Sequence, residues 1–444
     1  MTIEGLGAEA RRWRPEVLAA GAASALAVTV GSIVAGAPVL AILAVIAIVA
    51  VAVFLARPDY SLYLLVSLTA LESQFQLSSN EQLSATKLAG ALSFASFTLY
   101  ILVGRRRLLL DRTHLIAMLL LSVAMVSTLQ AASLPDALTE TVRLASFVVL
   151  YVVVTHLAAA RSVLVSIAWT FVASSALAGG IGSYNFLTSQ THLARLKYGD
   201  PNDFAFVLAA ALPFAIWLLV ETHGWRRPLA ALMIGLLAAG IVLSLSRGAV
   251  LAVGVGVIWH AVSNRRHRRL LIVAMTVSAM SALLFIQSNP ERVAQGLSAK
   301  EYVAQDNVDS RLVAWNGAIK LAADHPLLGI GPGNFGVYYY EISGNPVGTF
   351  ALGVSHNSYL DVASELGFFG LLLFLAFIVL SFWRLSTATA RGLGPQGLAS
   401  LARTSLIVVL VCFITMSEHY FAPLWLLGAI GTALHRESAS ASST

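Results

Sequence analysis

The sequence predicts an all-α polytopic membrane protein of about 12–14 transmembrane helices, the number that apolar runs of about 20 residues give. Three observations predict it. The chain of 444 residues is 58% hydrophobic and only 11% charged, whereas a soluble domain carries about a quarter charged residues. Its mean hydropathy is +0.80. The apolar residues form repeated long runs separated by short, arginine-bearing gaps. So much apolar surface leaves no polar shell, which excludes a soluble globular enzyme. The balance of 28 Lys+Arg against 22 Asp+Glu lies in those gaps. That placement is topology control and not a nucleic-acid surface, so no nucleic-acid partner is expected. The single cysteine, Cys412, rules out intrachain disulfides and cysteine-based metal or redox sites.

Irregular backbone cannot face lipid, so each apolar run is predicted to be a helix. The runs fall near 17–35, 39–56, 60–72, 87–103, 113–132, 142–158, 162–187, 203–221, 229–245, 249–263, 270–287, 359–383, 404–418 and 421–435. Arg11, Arg12 and Arg14 precede the first run. That run is too long for a signal peptide and is expected to be an uncleaved first helix. The third run and the last two are short for a full crossing, which allows tilted or re-entrant segments.

Basic residues stay with the cytoplasm. With the N-terminus inside, alternation leaves Arg57, Arg105, Arg106, Arg107, Arg112, Arg161, Arg226, Arg227, Arg265, Arg266, Arg268, Arg269, Arg384, Arg391, Arg403 and Arg436 on the inner side. Every obvious cluster falls in one register. Nine cations break it: Lys87, Arg143, Arg195, Lys197, Arg247, Arg292, Lys300, Arg311 and Lys320. Lys87 and Arg143 start helices, where a long side chain can snorkel. The others gather in the loop 188–202, the turn 246–248 and the long loop 288–358. The organisation read from this is an N-terminal bundle over 1–287, an extracytoplasmic loop with an amphipathic helix over 288–358, C-terminal crossings over 359–436 and a cytoplasmic tail over 437–444. The loop is too small for an independent catalytic domain and is predicted to lie across the outer mouth of the bundle.

The outer face holds the residues able to do chemistry. Ser246-Arg247-Gly248 sits between two apolar runs at the outer boundary. An ionisable group at that depth is an anion-ligand candidate, and the plain alternative is a snorkelling cap on a helix C-terminus. Arg195 and Lys197 precede Gly199-Asp200-Pro201-Asn202-Asp203, a turn and helix-capping signature. Both are anion-binding candidates on the wrong side for topology. Asp309 or Ser310 can cap a helix ending before Pro326. On it Arg311, Trp315, Ala318, Ile319 and Ala322 share one face, so Arg311 heads a stripe expected to dock on the bundle. The plain alternative for Arg311 is an ion pair with Asp309 or Glu301. The run Gly329-Ile330-Gly331-Pro332-Gly333-Asn334-Phe335 lacks the features of a dinucleotide or nucleotide-phosphate loop and predicts a tight turn. His356 opens the next helix and is the candidate general base. Asn357, Asp361 or Glu365 stand close enough in sequence to orient it, and arginines nearby would keep its ring neutral. His419 is the rival base. No spacing of carboxylates or histidines suggests a metal site, and no cofactor is expected.

Together these pieces resemble the superfamily of O-antigen ligases and O-antigen polymerases, membrane proteins of bacterial polysaccharide assembly. The resemblance rests on SLSRGA around Arg247, DSRLVAWNGAIKLAADHPLLGIGPGNF, SHNSYLDVASELGFFG and GDPNDFAFVLAAALP, and spans residues 190–375. It implies an architecture like the membrane-embedded glycosyltransferases called GT-C. It also implies an inverting, metal-independent glycosyltransferase of the bacterial cytoplasmic membrane, with its active site facing the periplasm or exterior. The implied donor is a glycan on undecaprenyl diphosphate, and the implied acceptor a glycan, lipid A core or another hydroxyl. Arg247 and Arg311 would hold the diphosphate, with Arg195 and Lys197 as further ligands, and His356 would activate the acceptor. Two alternatives stay open: a polymerase extending the lipid-linked glycan, and a transporter of a lipid-linked sugar. A transporter favours charges buried mid-helix, and here the middles of the runs are nearly free of charge.

Overall fold

The structure is a computed structural model. It describes residues 15–34, 38–74, 85–104, 107–158, 160–188, 190–197, 199–264, 285, 287–304, 307–343, 354–417 and 421–441. The expected crossing at 270–287 lies almost entirely outside the described residues, as does His419. Among the described residues the chain is helical and contains no strand. The helices are α1 (Pro15–Val34), α2 (Pro38–Ala56), α3 (Pro58–Leu71), α4 (Ala85–Val103), α5 (Arg112–Thr128), α6 (Leu134–Leu157), α7 (Arg161–Leu187) and α8 (Pro201–Glu221). They continue with α9 (Arg226–Leu243), α10 (Arg247–Ser263), α11 (Pro290–Ala304), α12 (Asn307–Asp324), α13 (Phe335–Ser343), α14 (Ser358–Arg391), α15 (Leu398–Cys412) and α16 (Ala422–Ala441).

The protein is an all-α polytopic membrane protein. Six described helices, α4, α6, α7, α8, α9 and α14, are each long and apolar enough to cross a bilayer alone. The chain bends by 111° between α2 and α3, at Arg57, whose side chain grips Asp59 in a buried two-pronged ion pair of 3.0 and 2.8 Å. Shorter apolar helices, α5, α10 and α15 among them, fill the bundle between the long ones. The outward faces stay apolar, as at Leu102, Ile258, Val262 and Val379. In lipid that surface costs nothing, because the tails are as apolar as the side chains.

Helix α8 is the most enclosed span. It packs against α7, α9 and α15, while α14 packs against α5, α15 and α16. The largest fully buried side chains, including Trp425, Tyr151, Phe206 and Phe413, fill the space between them. Small residues set the close approaches. A Cβ on Gly240 would lie 3.1 Å from the Cα of Gly179, so α7 and α9 touch nearly backbone to backbone, as membrane helices favour.

The long loop folds as α11, α12 and α13. Helix α12 ends at Asp324, before Pro326 as its sequence predicts. Its buried stripe differs in detail. Ala314, Ala318 and Leu321 are buried and Ile319 is 55% exposed, so the docking face runs through 311, 314, 318 and 321. That face packs on α14 and α13 in a small core of its own with Ile330, Phe335 and Tyr339. Arg311 heads this face as expected.

Candidate active site

The bundle's two ends are built differently. One end gathers the termini that the arginine pattern assigns to the outer side, and it is hollow. A cavity of about 490 Å³ opens there, walled by the ends of α3, α4, α6 and α8 and by the segments that flank α14 and α15. His356, Asp200, Lys87, Arg143 and Glu140 all line it.

His356 is held by its neighbours and not by its own helix. Asn357 caps α14, its side-chain oxygen accepting from the N–H groups of Tyr359 (3.0 Å) and Leu360 (3.2 Å). The Asn357 amide also donates to the Ile414 carbonyl. The Ser358 N–H donates to Phe413 and Met416 carbonyls, both at 2.9 Å, and the Ser358 hydroxyl donates to Met416 at 2.7 Å. On the other flank the Asp361 carboxylate accepts from the Ser355 N–H at 2.9 Å. Between these anchors His356 adopts φ 58°. A left-handed backbone at a bulky residue stores strain that the surroundings must offset, and such residues cluster at functional sites. Asn357 and Asp361 thus fix the backbone on either side of the histidine.

The electrostatics around His356 are equally specific. Burial first, and the Arg311 charge second, push its imidazole down to about 4, while Asp200 pulls the other way. The ring is neutral at pH 7. Arg311 feels the same surroundings: burial lowers its guanidinium from the usual value and Asp200 opposes that. Arg311, Asp200 and His356 therefore form one electrostatic group at the cavity. Asp200 also does the capping its sequence predicts, accepting from the N–H groups of Asn202 (2.6 Å) and Asp203 (3.4 Å).

The remaining cations fall in different places. Arg247 is exposed and opens α10, where a positive charge gains nothing from the helix dipole. It also follows the C-terminus of α9 at Leu243 by four residues, where a cation is favoured. Its neighbour Gly248 abuts Thr415, a cavity residue, so closely that a Cβ there would collide with the Thr415 hydroxyl. Arg195 is half-buried and donates to the Gly199 carbonyl at 3.3 Å, bracing the loop that carries Asp200. Lys197 is exposed, and its backbone N–H donates to the Gln74 side chain. Arg311 thus lies near enough to act electrostatically on His356, while the cavity lining includes the neighbours of Arg195, Lys197 and Arg247, namely Leu196, Gly199 and Thr415. The side chains of Asp309 and Glu301, the alternative partners for Arg311, lie outside the described residues.

Lys87 and Arg143, read from sequence as snorkelling helix starts, line the cavity itself. Arg143 pairs with Glu140 at 3.7 Å, one helical turn before it. The signal was present, since both broke the topology rule. A local explanation absorbed them because sequence cannot show that α4 and α6 open onto the space beneath His356.

The glycine-rich segment is a tight turn glued to α14. Helix α14 breaks at Gly367 (φ 65°, ψ −164°), and the turn pairs with the opened backbone. Ile330 N–H donates to the Ser364 carbonyl (2.9 Å), Gly331 N–H to the Glu365 carbonyl (3.0 Å) and Phe368 N–H to the Pro326 carbonyl (2.7 Å). Gly329 and Gly367, both left-handed, face each other so closely that a Cβ on either would collide with the backbone of the opposite segment. The N–H groups of Gly329, Ile330 and Gly331 are committed to protein carbonyls and those of Gly333 and Phe335 to the Glu365 side chain.

Among the described residues, no group of three His, Cys, Asp or Glu side chains is placed to hold a metal ion.

Residues 231–375 match the family model of O-antigen ligase. The matched segment takes in Arg247, Arg311, the glycine-rich turn, Glu365 and His356, and so contains the histidine side of the cavity. Lys87, Arg143, Arg195 and Asp200 precede it. No curated protein matches the chain. The O-antigen ligase match, on an apolar helical bundle, supports a membrane enzyme of glycan assembly.

Proposed function

We propose that the protein is an inverting, metal-independent glycosyltransferase of the O-antigen ligase type. It moves a glycan from an undecaprenyl-diphosphate donor to an acceptor hydroxyl at the outer face of the bacterial cytoplasmic membrane. The observation that carries this reading is a cavity lined by neutral His356, Lys87 and Arg143, with Arg311 beside the histidine. A lipid diphosphate is an anion fixed at the membrane surface, and Lys87 lies at the start of α4, which is long and apolar enough to span a bilayer. Preorganised cations match the charge that develops on the departing diphosphate, and guanidinium groups grip phosphate oxygens in pairs.

The reaction is one displacement. The acceptor oxygen attacks the anomeric carbon, the bond from that carbon to the phosphate oxygen breaks, and the lipid diphosphate leaves with the electron pair. The acceptor proton passes to His356. An imidazole at about 4 is neutral and ready, though a weak base. Donor binding corrects this, because a diphosphate against Arg311 cancels the charge that helps to hold the imidazole down. The base strengthens when the donor is in place.

The test is reconstitution of the purified protein in liposomes with a labelled undecaprenyl-diphosphate oligosaccharide, with and without a chelator. Transfer to an added lipid A core or glycan acceptor, unaffected by the chelator, supports the proposal. A ladder of longer lipid-linked products without added acceptor replaces ligase by polymerase. Intact donor that only changes leaflet replaces it by a transporter. Activity that disappears with the chelator and returns with a divalent cation overturns the metal-free mechanism.

A further inference from the structure

Glu365 is buried, 2% exposed, two turns beyond the start of α14 and away from the cavity lining. A carboxyl placed there without cause is costly. Its surroundings supply the cause. The backbone N–H groups of Gly333 and Phe335 donate to its side chain, and its backbone carbonyl accepts from Gly331 N–H and from the Ser127 hydroxyl (2.9 Å). Glu365 thus binds the glycine-rich turn with both main chain and side chain. The turn continues outward from it. Asn334 exchanges two hydrogen bonds with Ser133, at 2.7 and 3.2 Å. Gly333 rests against Glu140, where a Cβ would lie 2.8 Å from its Cγ, and Glu140 pairs with Arg143. At its other end the turn is the direct continuation of α12, which carries Arg311.

We infer that Glu365 is a positioning residue: by anchoring the Gly333–Phe335 backbone to α14 it sets the register between Arg311 on α12 and His356 at the head of α14. The inference rests on the reading above, in which those two side chains act together on the donor. Its chemistry is specific. The side chain works as an acceptor of two N–H bonds, so an amide oxygen in the same place should serve. Loss of the acceptor frees the turn, and α12 then shifts on α14. Misplacement of reacting groups by about 1 Å costs about a hundredfold in rate.

The experiment compares Glu365→Ala, Glu365→Gln and Asn334→Ala with the parent, all in a Cys412→Ala background. Spin labels at Ile319→Cys on α12 and Val250→Cys on α10 report the placement of α12 by pulsed dipolar spectroscopy, without substrate. Turnover is measured in proteoliposomes with the labelled lipid-linked donor. In Glu365→Ala the distance distribution should broaden or shift, and kcat should fall at least about tenfold with donor KM within about threefold. Glu365→Gln should restore both readouts. Asn334→Ala, which frees the turn from Ser133 alone, should broaden the distribution less. A parental distribution in Glu365→Ala overturns the inference, as does a Glu365→Gln variant as impaired as the alanine. If Glu365→Ala does not fold, Glu365→Met, which fills similar space without an accepting oxygen, replaces it, and a parental distribution there overturns the inference. The distance readout requires no turnover, so failure of the proposed reaction leaves this test intact.

Discussion

The end of the bundle that holds His356 is hollow and the end that holds Asp111 is closed by its own ion pairs, although both carry arginines and histidines. At the closed end Asp111 caps α5 and accepts from Arg384 at 3.1 Å, from Arg436 at 3.5 Å and from the His114 ring at 2.9 Å. Arg384 also donates to the Thr432 hydroxyl at 2.6 Å, and Tyr151 bonds the same hydroxyl at 2.7 Å. The Leu109 N–H donates to His156 at 2.9 Å, and Arg436 donates to the Leu109 carbonyl. Burial raises the Asp111 carboxyl, but the His114 and Arg384 bonds outweigh it and hold the group below the ordinary carboxylate range. Here α5, α14 and α16 meet on one anion, and side chains fill the space between them. At the hollow end Lys87, Arg143 and His356 line open volume, and the tight packing sits in the glycine-rich turn and the Asn357 cap. The difference teaches what each end does with its polar groups. Charges that satisfy one another hold helices together. At the hollow end Lys87 and Arg143 face open volume that His356 also lines.

The largest effect expected is at the hollow end. Replacing Lys87 and Arg143 together by Gln should cut kcat/KM by two or more orders of magnitude, about 1.5–3 kcal/mol for each charge-assisted hydrogen bond removed. The melting temperature should change little. Near-parental turnover would move the diphosphate site out of this cavity. Asp111→Asn should do the reverse. It leaves Arg384 and Arg436 without their anion and should destabilise the protein by about 2–4 kcal/mol, read as a lower midpoint in a thermal unfolding scan in detergent. Donor KM should stay as it was. A stable, inactive Asp111→Asn protein would erase the contrast between the ends.

The pH profile sharpens the comparison further. For the free enzyme, kcat/KM should fall as pH drops through about 4 and not through the ordinary histidine range. The acid limb of kcat should lie higher, because bound diphosphate offsets Arg311. Arg311→Gln should move the kcat/KM limb upward by removing a charge that lowers the imidazole. Asp200→Asn should move it downward. Coincident limbs in all three proteins would separate His356 from the observed ionisation. The smallest effect is expected at Lys197, exposed on the rim, where Ala should change donor KM by no more than about threefold and leave kcat alone.

Much of the fold was legible because its physics is local. Apolar runs and arginine-rich gaps are one-dimensional signals, and they separate the residues of the hollow end from those of the closed end. The end of α12 at Asp324 and the cap at Asp200 follow from neighbours in sequence; α12 starts at Asn307, so Asp309 and Ser310, expected as its caps, lie inside it, and the Asn357 cap was not read from sequence. What was not legible depends on distant segments meeting. Lys87 and Arg143 enter the cavity because α4 and α6 converge under residue 356. The stripe of α12 passes through Ala314 and Leu321 because α13 covers them. The role of Glu365 depends on a break in α14 at Gly367, which an unbroken apolar run from 366 to 380 conceals.

The central claim is that His356 takes the acceptor proton inside this cavity. The most direct measurement is single-turnover transfer from the labelled undecaprenyl-diphosphate glycan in proteoliposomes of the parent and of His356→Ala. General bases contribute about a hundredfold to ten-thousandfold. The account predicts a loss of that size in His356→Ala, with parental donor binding and a parental unfolding midpoint. Parental transfer rates in that variant would contradict it.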